Sequence, residues 1–332
     1  MIESSYQLVS NTLAKPGKRK NGDYCKTVDS STYVLALVAD GITSLPCDWK
    51  ASKTACENLT SYVQKQIKTA PDPEKLLYES ISQVNKDLLY ETEECDGLAT
   101  TLCGLFWLKE TNHVHYFWLG DSRIYFYKVG KLHQISEDDS EEFVSSKDIS
   151  PGASVYSRNI ITNSLGRSDC RIRVKKHPFE PGDGLIMATD GFIESTASFE
   201  QKLINCINAA DFEKPIADIL QQNRVDQRDD STIAILRRTY DKITNTQIAE
   251  FLNDKQSAPD LFYELQAIYA AIVLGINTGQ DEICLNALRR IDERNLKLGK
   301  KALLNLLDLV VATNYKGAGL YNALVLLIRK SE

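Results

Sequence analysis

The chain has 332 residues, 43% hydrophobic and 25% charged, with a formal net charge of −6. This is the composition of a globular protein with room for one large domain or two medium ones, and its acidic balance excludes the basic face of a nucleic-acid binder. No apolar run approaches the roughly 20 residues of a bilayer span, and the opening MIESSYQLVSN lacks the basic and apolar stretches of a signal peptide; a soluble, cytoplasmic protein with no membrane contact is expected.

In chain order, TYVLALVADG from Thr32 is an apolar run closed by an Asp-Gly turn. Helical spacing follows twice. From Asp48 it links Ala55, Leu59, Tyr62, Val63 and Ile67, and from Pro73 it links Leu77, Ile81, Val84 and Leu88, with Pro73 as a helix opener. HVHYFWLGDSRIYFYKVGKLHQIS from His113 reads as successive strands broken at Gly120-Asp121 and Gly130-Lys131. His113 and His115 alternate on it and, with no third ligand nearby, read as ordinary strand histidines rather than a metal pair. The acidic run Glu137–Phe143 reads as a solvated loop, EPGDGLIMATDGF from Glu180 as a short strand between two turns, and DDSTIAILRR from Asp229 as an acidic turn and a last strand. Hairpin-type strands with a few long helices favour an α+β layered architecture.

Beyond residue 240 the pattern becomes helical. LFYELQAIYAAIVLGI, EICLNALRRIDERNL, KKALLNLLDLVVATNY and LYNALVLLI each carry an apolar stripe. Two domains are expected, 1–239 and 240–332, the second all-α and of unassigned role, its helices offering a face for a protein partner or self-association. Eight cysteines without a CxxC pair read as reduced thiols rather than disulfides or a zinc site.

Asp40, Asp121, Asp190 and Asp229 each stand where an apolar run meets a turn. One Asp-Gly turn means little. Four carboxylates at strand ends that converge on one sheet edge would repel one another unless a cation neutralised them, and all-oxygen donors favour Mg²⁺, Mn²⁺ or Ca²⁺.

Taken in order, KRKNGDY, LALVADG, GLATTLCGLF, GDSRIY, SEDDS, RNIITNSLG, ATDGFIE and DDST resemble the signature segments of the type 2C class of metal-dependent protein phosphatases across about residues 10–237. The resemblance implies a four-layer αββα sandwich with two central antiparallel sheets, followed here by the all-α extension. It implies Asp40 bridging two Mg²⁺ or Mn²⁺ ions, the Gly41 carbonyl as a further ligand, and Asp190 and Asp229 as the remaining carboxylates of the first ion. It also implies Asp23 on the second ion and Asp121, Asp190 and Glu194 around a third, weaker one. The implied activity is hydrolysis of phosphoserine and phosphothreonine in proteins by in-line attack of a hydroxide bridging the ions, with Lys18 and Arg19 at the position of the family's phosphate-binding arginine.

Departures accompany the match. Gly22 stands where a Glu is common, so one carboxylate near the second ion is missing. Lys18 supplies charge without arginine's two-pronged fork. Ile42 replaces a His or Met and Thr43-Ser44 a Gly-Gly, which removes a histidine general acid, and Asp139 replaces the His of an Asp-His-Ser step. They motivate an alternative: a phosphatase fold that binds a phosphoprotein or regulator without turnover.

Overall fold

The computed structural model describes residues 6–68, 70, 72–91, 95, 97–128, 131–146, 155–180, 182–207, 213–224, 227–238, 268, 271–273, 275–276, 281–293, 300–312 and 318–330. The strands are β1 (Tyr6–Leu13), β2 (Asp23–Asp29), β3 (Tyr33–Asp40), β4 (Leu102–Leu108), β5 (His113–Leu119), β6 (Arg123–Lys128), β7 (Lys131–Gln134), β8 (Ser140–Ser146), β9 (Val155–Ile161), β10 (Arg173–Pro178), β11 (Gly184–Ala188) and β12 (Ser231–Arg238). The helices are α1 (Asp48–Gln66), α2 (Pro73–Leu89), α3 (Asp190–Ser195), α4 (Phe199–Ile207), α5 (Glu213–Asn223), α6 (Asp281–Glu293), α7 (Lys300–Ala312) and α8 (Ala318–Lys330).

Two five-stranded antiparallel sheets form the centre, one in the order β1-β12-β11-β6-β7 and the other β10-β5-β4-β3-β2. β3 shows why its sequence is an unbroken apolar run. Val34, Ala36 and Val38 face the core between the sheets, while Leu35, Leu37 and Ala39 face the core under α1 and α2. A strand covered on both faces cannot alternate apolar with polar residues. Each fully buried Val or Leu there contributes about 1.5–3 kcal/mol.

The outer helices supply the other layers. α1 and α2 bury Ala55, Leu59, Val63, Leu77, Ile81 and Val84 against the second sheet. Asp72 caps α2 by accepting from the Glu74 amide at 3.0 Å, with Pro73 in the first turn. α3, α4 and α5 bury Phe192, Leu203, Ile207, Ile216 and Leu220 against the first sheet. The layers run αββα, as the resemblance implied.

Two expectations are corrected here. The run Glu137–Phe143 is a solvated loop only in part: Glu137, Glu141 and Glu142 are exposed, but Ser140 opens β8, Arg123 forks onto Asp138 (2.7 and 2.9 Å), and Asp139 is buried. Nor are all the thiols reduced, because Cys47 and Cys95 form a disulfide that joins the start of α1 to the segment before β4. The remaining six cysteines are outside any disulfide, and Cys284 Sγ donates to the Ile272 carbonyl at 3.4 Å. The sequence pattern also passed over α4 and α5, each of only three turns or fewer.

α6, α7 and α8 pack around their own apolar cluster, including Cys284, Leu288, Leu303, Leu306, Leu320 and Leu324. Asp308 on α7 reaches Lys131 on β7 at 2.9 Å. The expected helix over 261–276 lies mostly outside the described residues. Among the described residues no helix is long and apolar enough to cross a membrane.

Candidate metal centre

Five chain segments deliver carboxylates to one end of the sandwich. β3 ends at Asp40 and β2 begins at Asp23, and the two residues are paired in register. β11 ends at Ala188, after which Asp190 opens α3, and Asp229 lies two residues before β12. Asp121 sits in the turn between β5 and β6. Asp40, Gly41, Asp121, Asp190, Glu194 and Asp229 line one open cleft of about 980 Å³. Asp121, Asp190 and Glu194 also share a neighbouring notch of about 30 Å³ with Arg123 and Asp138, a volume suited to one water or one small ion.

The backbone near Asp40 is held by hydroxyls. The Asp40 amide donates to Thr101 Oγ1 at 3.0 Å, and the Asp40 carbonyl accepts from Thr100 Oγ1 and from the Thr101 amide, both at 2.8 Å. Thr101 Oγ1 in turn bonds Ser122 Oγ at 2.8 Å, which couples the Asp40 strand end to the turn carrying Asp121. Gly41 is required by close approach: a β-carbon there would lie 2.1 Å from the Asp48 carbonyl oxygen.

Asp23 is placed by Thr189. The Thr189 hydroxyl donates to Asp23 Oδ2 at 2.9 Å and accepts from the Thr232 amide at 3.0 Å, so it does not cap α3. Asp190 takes the first turn of α3 and accepts from the Gly191 amide at 2.6 Å, where a helix start favours negative charge.

The electrostatics of the cluster are unfavourable in the absence of cations. Burial pushes the Asp23 carboxyl up to about 7, aided by the charge of Asp230 and opposed by hydrogen bonds from Thr232 and Thr189. Burial and then the charges of Asp23, Asp190 and Asp229 hold Asp40 well above the usual carboxylate range. Asp121 is pushed up to about 7 by burial and then by Asp190. Asp190 and Glu194 are raised as well, burial first in both. Asp23 Oδ1 and Asp121 Oδ1 are buried with no hydrogen-bond donor.

An all-oxygen donor set with orphaned, mutually repelling carboxylates fits a hard divalent cation. Among the described residues no three of these side chains meet about a single point, so the geometry assigns Asp40, Asp121, Asp190, Glu194 and Asp229 to one cleft and not to individual ions, while Asp23 does not line that cleft.

The expected phosphate-holding pair behaves differently. Lys18 Nζ donates to Asp48 Oδ2 at 2.8 Å and to Asp230 Oδ2 at 2.6 Å, and neither Lys18 nor the exposed Arg19 lines the cleft. Burial alone would lower the Lys18 ammonium, but the bonds from Asp230 and Asp48 outweigh it and hold its pKa above the ordinary lysine value. Among the described residues the cation lining the cleft is Arg167, forked onto Asp169 at 2.8 and 2.9 Å. Ser44, Thr43, Ile42 and Ser164 line it too.

Sequence reasoning gave no role to Arg167, Ser164, Thr189, Asp48 or Asp230. The first two lie in or beside the RNIITNSLG segment and Thr189 and Asp230 within ATDGFIE and DDST, so the signal was proximity to a signature segment.

Asp139 accepts from Arg173 at 2.6 and 2.7 Å, from Asn163 Nδ2 at 2.8 Å and from the Gly120 amide at 3.2 Å. It thus braces the Gly120-Asp121 turn from behind.

Known proteins share this arrangement of elements. The serine/threonine phosphatase PstP/Ppp of Mycobacterium tuberculosis is similar with a TM-score of 0.55 at 16% identity, over 71% of this chain and 99% of that one. PstP has also been solved in complex with two manganese ions. The PPM Ser-Thr phosphatase MsPP of Mycobacterium smegmatis, in complex with cacodylate, gives 0.56 at 19% identity over 70% of this chain and 98% of that one. The S. agalactiae serine/threonine phosphatase gives 0.56 at 17% identity over 70% and 100%. At such identities the likeness is one of fold. No curated protein sequence matches. The sequence profile of protein phosphatase 2C matches residues 17–253, well over half of the chain. The chain belongs to the protein phosphatase 2C family.

Proposed function

We propose that this chain is a divalent-cation-dependent serine/threonine phosphoprotein phosphatase acting on phosphorylated protein substrates. The observation that carries this reading is the convergence of Asp40, Asp190 and Asp229 on one open polar cleft, with Asp23 in register behind Asp40. Asp40 would be shared between ions, with Asp190, Asp229 and Asp23 completing the carboxylate set and the Gly41 carbonyl beside them. Asp121 and Glu194 would hold a further ion with Asp190. Mg²⁺ or Mn²⁺ bound there would supply charge neutralisation for a phosphoryl group and acidify water.

The chain's own residues do the rest. Thr101 and Thr189 fix Asp40 and Asp23, so the charged groups need no rearrangement as charge moves onto the phosphoryl oxygens. Arg167 offers the cleft a guanidinium for the phosphate or for an acidic flank of the substrate. Ile42 keeps the cleft wall beside Gly41 apolar, so the departing alkoxide takes its proton from solvent rather than from a side chain at that position. The phosphatase portion spans 1–239, the helices of 240–332 form a regulatory or partner-binding module, and the protein works in the cytoplasm.

Sequestration of Lys18 favours one second reading, a phosphoprotein-binding relative without turnover. The deciding experiment is release of phosphate from p-nitrophenyl phosphate and from a phosphothreonine peptide with added Mn²⁺, beside Asp40→Ala and Asp190→Ala. Mn²⁺-dependent release lost in both variants supports the phosphatase. Peptide binding with no release above the variants supports the second reading.

A further inference from the structure

Lys18 lies between two acids beside Gly22. Its ammonium donates to both Asp48 and Asp230, and 19% of its side chain is exposed. Asp230 is further fixed by the Gly22 amide on Oδ2 at 2.6 Å and the Lys15 amide on Oδ1 at 2.9 Å. A β-carbon on residue 22 would fall 2.8 Å from Lys18 Nζ, 2.8 Å from Asp48 Oδ2 and 3.0 Å from Asp230 Oδ2. The amine therefore stands in the space that any side chain at 22 would enter. That space adjoins the cleft: Gly22 precedes Asp23, and its carbonyl accepts from the Gly41 amide at 3.1 Å.

We infer that the Lys18 ammonium is a built-in cation of the metal centre, holding Asp48 and Asp230 where a divalent ion would otherwise sit and confining ion binding to the Asp23–Asp40–Asp190–Asp229 side. This rests on the metal-centre reading given above. The Asp48 and Asp230 carboxylates border the space at Gly22, and Asp23 is the next residue along the chain. A monovalent ammonium delivered by the chain satisfies Asp48 and Asp230 permanently. Remove it, and the region becomes a hard-oxygen site open to Mg²⁺ or Mn²⁺. A side chain at residue 22 would press on the Lys18 ammonium and on the Asp48 and Asp230 carboxylates, so these side-chain ends would have to shift to admit it.

The test is Mn²⁺ binding to the full chain, counted by titration calorimetry and by the free-Mn²⁺ electron spin resonance signal. Lys18→Ala is expected to bind one more Mn²⁺ per chain than the wild type, and Lys18→Ala/Asp230→Asn to return to the wild-type number. An unchanged count in Lys18→Ala overturns the inference alone. A wild-type chain that takes up no Mn²⁺ overturns the metal-centre reading and the inference with it. Should Lys18→Ala fail to fold, amine acetylation of the wild type read by mass spectrometry decides. Lys18 protected equally with and without Mn²⁺ supports a resident cation, and Lys18 labelled once Mn²⁺ is added overturns it.

Discussion

Asp23 and Asp40 stand opposite one another in register, the first residue of β2 against the last of β3. Like charges directly opposed across an antiparallel pair are destabilising, and here both are buried or partly so. The arrangement is stable in the charged state only with cations alongside, so ion binding and fold stability are linked. Mn²⁺ at about a hundred times its Kd is expected to add about 2.7 kcal/mol, raising Tm by roughly 5–10 °C. Asp40→Asn should reduce that gain and raise the melting temperature of the ion-free protein. Thermal melts in EDTA and in Mn²⁺ check both; a Tm indifferent to Mn²⁺ in the wild type would sink the linkage.

Asp183, away from the cleft, makes a pH-dependent contribution of the opposite kind to a surface carboxylate. Burial pushes it up to about 6 against the pull of the Glu180 amide and of Lys128. The folded state holds a proton that the unfolded chain releases near pH 4. Its contribution is fully present below that pH and is lost as pH rises through about 6. Asp183→Asn keeps the acceptor for the Glu180 amide without the charge, and is expected to remove roughly 1–3 kcal/mol of the wild-type decline between pH 4 and 7.5. Urea unfolding in Mn²⁺ at several pH values measures it, and parallel profiles for the two proteins would refute it.

The Asp139–Arg173 pair contributes with the other sign. Burial raises Asp139, but Arg173 and Asn163 overcome it, so its pKa lies below the usual range. That contribution is present above about pH 4 and is lost only as the pH falls through the lowered value. Asp139→Ala leaves Arg173, Asn163 and the Gly120 amide without their acceptor. A loss of about 2 kcal/mol is expected, less than the 3–5 kcal/mol of a fully buried pair because Arg173 keeps 26% of its side chain in water. Because Asp139 holds the turn bearing Asp121, the weakest Mn²⁺ site should weaken as well. Equilibrium unfolding with Mn²⁺ titration reads both effects.

These cases show what was legible in the sequence. The Asp-Gly turns and the apolar runs before them located Asp40 and Asp190, because a strand covered on both faces writes an unbroken hydrophobic string. The acidic run at Glu137 misled in part, since charge density looks the same whether water or a distant arginine answers it. Arg123 and Arg173, the partners of Asp138 and Asp139, lie 15 and 34 residues away. The family resemblance is what puts Lys18 near the site, but its partners Asp48 and Asp230 lie 30 and 212 residues off, and only folding brings them to it.

The Cys47–Cys95 disulfide closes a 48-residue separation. Chain-entropy reasoning gives it up to about 4 kcal/mol. Cys47 lies just past the cleft residues Ile42–Leu45, and Cys95 lies shortly before Ala99, which also lines the cleft. Reduction, or Cys47→Ser with Cys95→Ser, is expected to lower Tm and loosen both cleft edges. Binding of a phosphothreonine peptide should suffer more than turnover, with KM rising severalfold and kcat falling less than twofold. Steady-state kinetics with and without a reducing agent test it, and unchanged Tm and KM would dismiss a role for the bond.

The C-terminal helices raise the last expectation. α6, α7 and α8 are held by an apolar cluster of their own, while among the described residues the cores under α1–α2, between the sheets and under α3–α5 contain none beyond Leu236. Removing residues 240–332 therefore takes none of the described residues from those three cores. Lys131 on β7 loses Asp308, an exposed pair worth at most about 1 kcal/mol. A chain ending at residue 239 is expected to fold, to keep its Mn²⁺-dependent rise in Tm, and to hydrolyse p-nitrophenyl phosphate at a rate within about twofold of the full chain. Protein partners captured through the helices should be lost with them. If the shortened chain were insoluble or had lost its Mn²⁺ response, the helices would instead be part of the catalytic fold, and the boundary near residue 240 would be wrong.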